Sequence, residues 1–198
     1  MTNIKLFLEY SDYFGDKSEW DEIESNCAWG FDYFWDKINK CYNEGSYYIP
    51  NSPFDININM MEFNISNLKK DIELPENANA VAKRNGTISI KIETGGYSGG
   101  SCWNDDPAEP YETGNSISYD DFKEALKNIL NNALGNKTYT FGSLDELLDI
   151  LFKDPWKWGI YENTDTEYEY YGNSTDYMFI EISLWNLYKF LSKYDAFF

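Results

Sequence analysis

The sequence predicts an α+β fold, with a mainly antiparallel sheet and several amphipathic helices. Helical and strand patterns are mixed along the 198 residues without the regular alternation that produces a parallel sheet. Thr87 to Glu93 has the clearest strand pattern, because Ile88, Ile90 and Ile92 alternate with polar residues. Tyr119 to Leu134 has the clearest helical pattern, with apolar residues three and four positions apart.

The amino-terminal part predicts two strands and two helical pieces. In chain order these are a strand at Ile4–Tyr10, helices at Asp16–Asn26 and Phe31–Tyr42, and a strand at Phe54–Ile58 whose extension to Ile65 stays open. Gly30 is expected to interrupt the two helical pieces, because glycine disfavours helix interiors. We expect a single domain over 1–198. Pro50 to Pro53 is the candidate boundary, with 1–49 as an amino-terminal subregion.

The carboxy-terminal part predicts three helices and four β segments. Ser118 and Ser143 are expected N-caps, Gly135 is expected to end the first of these helices, and Pro155 the second. The helices are Tyr119–Leu134, Ser143–Phe152 and Ser183–Lys193, and the β segments are Lys137–Phe141, Trp156–Tyr161, Thr166–Tyr171 and Tyr177–Ile182. The last two segments predict a hairpin around Gly172-Asn173.

Thr94 to Asp106 is the stretch around which we organise the chain. It contains four glycines (Gly95, Gly96, Gly99 and Gly100), and it continues through Cys102 and Trp103 into acidic residues. It lacks the lysine, the glycine spacing and the following helix of a phosphate-binding loop. We therefore predict a structural loop in which at least two glycines have φ > 0 and Trp103 packs on the sheet.

The charge is strongly acidic and unevenly distributed. The net charge is −18, from 34 acids and 16 bases. Glu9–Asp36 holds nine acids and one lysine, Glu93–Asp121 seven acids and no base, and Glu162–Glu181 six acids and no base. This excess argues against direct binding to nucleic acid or to an anionic membrane, and it favours a basic partner.

The sequence contains few residue patterns that would support catalysis or bind a cofactor. The chain has no histidine, which removes Ser-His and Cys-His dyads. Three widely spaced cysteines predict reduced thiols that bind no metal. Asp105, Asp106 and Glu109 are a candidate cation site, since hard cations take several carboxylate oxygens, but their spacing matches no EF-hand. With no signal peptide pattern and no long apolar run, the expected place is the cytoplasm.

Two motifs of the sequence resemble those of known proteins. The motif Thr94-Gly-Gly-x-x-Gly-Gly-Ser-Cys-Trp103 and the later Tyr170-Tyr-Gly-Asn-Ser-Thr-Asp-Tyr177 resemble a group of small phage-encoded proteins of unknown function. The resemblance covers about Gly86 to Lys193 and implies a phage or prophage setting, in which the host cytoplasm is the place of action. By charge alone the chain is similar to anti-restriction and anti-CRISPR inhibitors that imitate nucleic acid.

The leading hypothesis is a non-enzymatic acidic inhibitor without a cofactor. It would bind the basic nucleic-acid-binding surface of a host defence protein, such as a CRISPR effector or a restriction enzyme. An immunity protein against a basic toxin nuclease is the alternative, followed by a carboxylate-based hydrolase. The predicted partner-binding residues are Glu162, Asp165, Glu167, Tyr168, Glu169, Tyr170, Asp176, Asp105, Asp106 and Glu109. The acids from Glu162 to Asp176 are expected on one exposed face. The oligomeric state is left open.

Overall fold

A computed structural model describes residues 28–60, 86–103, 106–135 and 142–194. The predicted α+β class is confirmed, since helices accompany a five-stranded antiparallel sheet. The helices are α1 (Ala28–Asn43), α2 (Tyr119–Leu134), α3 (Leu144–Lys153) and α4 (Leu184–Lys193). The strands are β1 (Asp55–Asn59), β2 (Thr87–Ser98), β3 (Glu109–Glu112), β4 (Tyr161–Tyr168) and β5 (Ser174–Ser183). The segments predicted at Ile4–Tyr10, Asp16–Asn26 and Lys137–Phe141 lie outside the described residues.

The sheet has the order β1-β2-β5-β4, with β3 also pairing with β2. β1 pairs with the first half of β2 and β3 with its last four residues, so both occupy the same side of β2. β4 and β5 form the predicted hairpin, which runs without a register shift from Tyr161 opposite Glu181 to Tyr168 opposite Ser174. β4 therefore forms one edge of the described sheet.

Described helices cover one face of this sheet. Ile88 and Ile90 of β2 lie beside Ile182 and Ile180 of β5, and all four side chains are fully buried. Apolar stripes on the helices complete this core, including Phe34 and the leucines of α2, α3 and α4. The opposite pleat carries Lys91, Asp165, Glu167, Tyr177 and Phe179, none of which is buried. We call this second pleat the open face.

The predicted helix boundaries are confirmed where polar capping residues define them. Ser118 and Ser143 each accept a hydrogen bond from the backbone N–H three residues on, and Asp121 and Glu146 complete the two capping boxes. Gly135 ends α2 with φ 73°. These local contacts need only neighbouring residues, which is why the sequence reveals them.

One local prediction is wrong, and another is tested only in part. Gly30 lies buried in the first turn of α1, whereas the preceding helix predicted at Asp16–Asn26 lies outside the described residues. Trp156 to Tyr161 is not a strand throughout: Pro155 begins a 3₁₀ helix that ends at Trp158, and β4 begins only at Tyr161. Proline suits the first position of a helical turn because its fixed φ matches and no N–H is needed there.

Candidate protein-interaction surface

The glycine-rich stretch begins inside a strand, which corrects the loop predicted from Thr94. β2 continues through Gly95 and Gly96 to Ser98 because it pairs on both sides, with β5 and with β3. The register with β5 shifts between Glu93 and Gly95, which is a β-bulge. Two-sided pairing thus overrides the low strand propensity of glycine.

Positive φ angles at two of the four glycines confirm the prediction for this stretch. Gly96 has φ 146° and Gly99 has φ 85°. At Gly100 the reason for glycine is instead close approach, since an added Cβ would lie 2.2 Å from the Tyr171 carbonyl oxygen. The Gly100 N–H also donates to Asn173 Oδ1 at 3.0 Å. The segment after β2 is therefore held against the turn that joins β4 to β5.

That turn has a fixed shape of its own. Tyr171 adopts the left-handed conformation with φ 63°, and a short 3₁₀ helix spans Tyr170–Gly172. Asn173 closes the turn, because its side-chain amide donates to the Tyr170 carbonyl and its own carbonyl accepts from the Glu169 N–H. The Tyr171 hydroxyl forms a hydrogen bond with Cys102, and this bond raises the pKa of the hydroxyl. The bond is a second contact between this turn and the segment after β2.

Five large aromatic side chains stand exposed where these segments meet. We call this group the aromatic tip: Tyr97, Trp103, Tyr168, Tyr170 and Tyr171. Tyr97 and Tyr168 flank the buried Ser174 in one cross-strand row, about 10 Å apart at ordinary strand spacing. Trp103 is 92% exposed, so the prediction that it packs on the sheet is wrong. In the chain Trp103 lies between Ser101 and Asp106, which form an isolated antiparallel bridge beyond the end of β2.

The predicted acids do not share one face. Paired residues of an antiparallel ladder point to the same side of the sheet. Glu162 lies opposite Ile180, on the pleat that the helices cover, and Asp176 lies on the same pleat. Asp165 and Glu167 belong to the open face, whereas Glu169 lies beyond the end of β4. Side chains alternate along a strand, so acids three positions apart are necessarily divided between faces.

Two of these acids, Glu167 and Asp176, also have partners within the protein. Glu167 forms an ion pair with Lys91, whose ammonium lies 3.5 Å from the centre of the Tyr177 ring. Asp176 accepts a hydrogen bond from the Thr166 hydroxyl at 2.7 Å. Both contacts come from the tertiary register and are not readable from the local sequence.

Other predicted acids lie beside the aromatic tip. Glu109 is paired in register with Ser98, and Asp106 bridges Ser101, so both adjoin the end of β2. Within the described ranges neither they nor Glu169 form an ion pair. Asp105 lies outside the described residues. Sequence reasoning missed Tyr97 and Tyr171 as exposed aromatics, although each adjoins a glycine in the sequence.

A metal site needs several donor side chains close together. Among residues 28–60, 86–103, 106–135 and 142–194, no group of three or more His, Cys, Asp or Glu side chains is placed to hold a metal ion. Cys41 is buried and Cys102 is exposed, while Cys27 lies outside the described ranges. None of the described helices is long and apolar enough to cross a membrane.

Comparisons with known proteins assign the chain to no family. No protein-family model matches the chain, and no curated protein or solved structure matches it.

Proposed function

We propose that this protein is a non-enzymatic, phage-encoded inhibitor that acts in the host cytoplasm. Its acidic surface would occupy the basic nucleic-acid-binding site of a host defence protein, either a CRISPR effector or a restriction enzyme. One observation carries the proposal: the aromatic tip lies in two chain segments, Glu93–Asp121 and Glu162–Glu181, that contain acids and no lysine or arginine.

The exposed rings supply the apolar part of such an interface. Tyrosine and tryptophan are enriched among the residues that dominate binding energies, because each buries a large area with few rotatable bonds. A cluster of exposed apolar side chains rimmed by polar ones is typical of a protein-binding site. Tyr168 and Tyr170, 85% and 84% exposed, are the members that the sequence also predicts.

The surrounding carboxylates supply the selectivity. Asp106, Glu109 and Glu169 adjoin the rings, and a basic channel that normally binds phosphates would attract them. Because Glu167 is already paired with Lys91, it contributes less net field than Glu169. The acids beside the tip are therefore better candidates for contact than those in the middle of β4.

The test is displacement of nucleic acid from purified candidate partners. A fluorescent duplex or guide RNA is bound to each CRISPR effector or restriction enzyme of a panel, and its anisotropy is followed as the protein is added. We expect stoichiometric release from at least one partner, with an inhibitor affinity that falls as salt rises. Formation of a ternary complex with unchanged nucleic-acid affinity on every partner bound would contradict the proposal. A basic toxin nuclease is tested in the same way, and displacement confined to that nuclease would replace the proposal with the immunity function.

A further inference from the structure

The outer edge of β4 is a second feature of the acidic surface. Within the described part of the chain no strand pairs with that edge, and every β4 residue except Thr166 is exposed. The strand has eight residues, Tyr-Glu-Asn-Thr-Asp-Thr-Glu-Tyr, and spans about 26 Å at the usual rise. Proteins commonly protect sheet edges with lysine, proline or a bulge. β4 contains neither residue, and its register with β5 is regular.

The backbone groups that point outward can be assigned. The Glu169 N–H donates to the Asn173 carbonyl, which makes this pair a hydrogen-bonded one. Hydrogen-bonded and non-hydrogen-bonded pairs alternate in an antiparallel ladder. Glu162, Thr164, Thr166 and Tyr168 are therefore the residues whose N–H and C=O groups face away from β5.

Local hydrogen bonds at two of these positions agree with that assignment. The N–H of Thr164 donates to Asn163 Oδ1, and that of Thr166 donates to Asp165 Oδ1, both at 2.9 Å. Each acceptor is the side chain of the preceding residue, and both contacts are exposed to water. Exchanging such a bond for one to an added strand costs little, because one exposed hydrogen bond replaces another.

Charge selects the kind of strand that could be added. β4 carries Glu162, Asp165 and Glu167 and no base, and its two faces both hold carboxylates. A second copy of β4 would bring three more carboxylates beside these, which is unfavourable for cross-strand neighbours. A segment rich in lysine or arginine places cations beside the same groups, and it would approach the aromatic tip at Tyr168.

We propose that the outer edge of β4 binds an extended basic segment of the partner as an added strand. This inference rests on the proposed function and names how part of the partner is held. Main-chain hydrogen bonds to Thr164 and Thr166 provide affinity, and the acidic side chains select lysine and arginine. When a partner cation pairs with Asp165, the Thr166 N–H is released to a carbonyl of the added strand.

The experiment uses a blocked nine-residue peptide of alternating lysine and valine as the probe. Its control has the same composition and charge but alternating D- and L-residues, so it cannot form a regular strand. We expect the all-L peptide to bind about tenfold more tightly, a difference of about 1.4 kcal/mol, and to slow hydrogen exchange at the Thr164 and Thr166 amides. Equal binding of both peptides, or no added protection at these amides, would overturn the inference.

A protein variant separates the edge from general charge attraction. Thr164→Pro removes an outward N–H without removing a bond to β5, while Thr164→Val keeps the N–H. We expect the proline variant to lose the preference for the all-L peptide and the valine variant to retain it. If both retain it, the inference fails. Should Thr164→Pro not fold, the exchange measurement on the unmodified protein decides the question. Nucleic-acid displacement that persists in a folded Thr164→Pro variant would overturn the edge as a partner contact while leaving the proposed function intact.

Discussion

Replacing Gly96 by alanine should destabilise the protein far more than replacing Gly99. Gly96 has φ 146° and lies in β2 between two partner strands, and an added Cβ would be 2.1 Å from the Ser174 carbonyl oxygen. Gly99 also has positive φ, but a Cβ there meets no atom within 4 Å. The two variants therefore differ mainly in the contact with β5.

The expected loss of unfolding free energy has two contributions, which are backbone strain at positive φ and the steric contact of the added Cβ. A strained backbone costs about 1–3 kcal/mol, and Gly99→Ala should lose about 1 kcal/mol of unfolding free energy for this reason alone. Gly96→Ala adds a displacement of the β2–β5 ladder, and overpacking of this kind costs about 1–3 kcal/mol more. We expect a total of about 3 kcal/mol or more for Gly96→Ala.

Urea unfolding followed by circular dichroism measures both values. Gly95→Ala provides a matched control, because its φ is not positive while its Cβ would lie 2.5 Å from the Tyr111 carbonyl oxygen. Gly95→Ala therefore measures the cost of a steric contact with β3 without the strain of a positive φ. If Gly96→Ala and Gly99→Ala differ by less than about 0.5 kcal/mol, the close approach of β2 and β5 at this point is refuted.

Three further predictions concern other parts of the molecule. The Tyr161 hydroxyl donates to Glu181 Oε1, which with partial burial raises its pKa to about 12. The hydrogen bond therefore stabilises the fold fully below about pH 10, and this stabilisation is lost as the pH rises towards 12. In ¹³Cζ-tyrosine NMR one tyrosine should titrate with a raised pKa. This signal should be absent in Tyr161→Phe, and its pKa should be lower in Glu181→Gln. Ser118→Ala removes the side-chain half of a capping box and should cost about 1 kcal/mol in urea unfolding, whereas Ser116→Ala, which lies before the cap, should stay within about 0.5 kcal/mol of the unmodified protein. A thiol reagent followed by peptide mass mapping should modify exposed Cys102 before Cys41, and Cys41 only on unfolding, because burial raises the pKa of Cys41. Faster labelling of Cys41 than of Cys102 would contradict its position in the core.

The sequence is most informative where local chemistry determines structure. Alternation at Ile88, Ile90 and Ile92 identifies β2, and Ser118 and Gly135 set the two ends of α2. Each of these signals acts between residues close in the chain. They predict the α+β class and most of the described elements.

The arrangement of the candidate surface depends instead on contacts between distant segments. The pairing of Gly95 and Gly96 on both sides, and the ion pair between Lys91 and Glu167, require the tertiary register. The same holds for the turn at Tyr171, which approaches Gly100.

Two errors about this surface have different physical origins. Large aromatic side chains usually lie inside, which favours a packed Trp103, yet this residue follows the end of β2 and its side chain is exposed. Only the path of the chain after β2 decides that position. The second error, the expectation that Glu162 and Asp165 share a face, has another origin. Side chains alternate along a strand, so residues three positions apart lie on opposite faces, and this is readable from the sequence alone.

The most direct test of the central claim is the affinity of the aromatic tip for a partner identified by nucleic-acid displacement. Trp103→Ala and Tyr170→Ala are compared with Trp156→Ala, which also removes an exposed ring, 72% exposed, but lies before β4 at the end away from the tip. We expect at least one tip variant to lose about 2 kcal/mol, or about 30-fold in Kd, while Trp156→Ala stays near the unmodified value. Unchanged affinity in both folded tip variants, or an equal loss in Trp156→Ala, would contradict the claim that the tip anchors the partner.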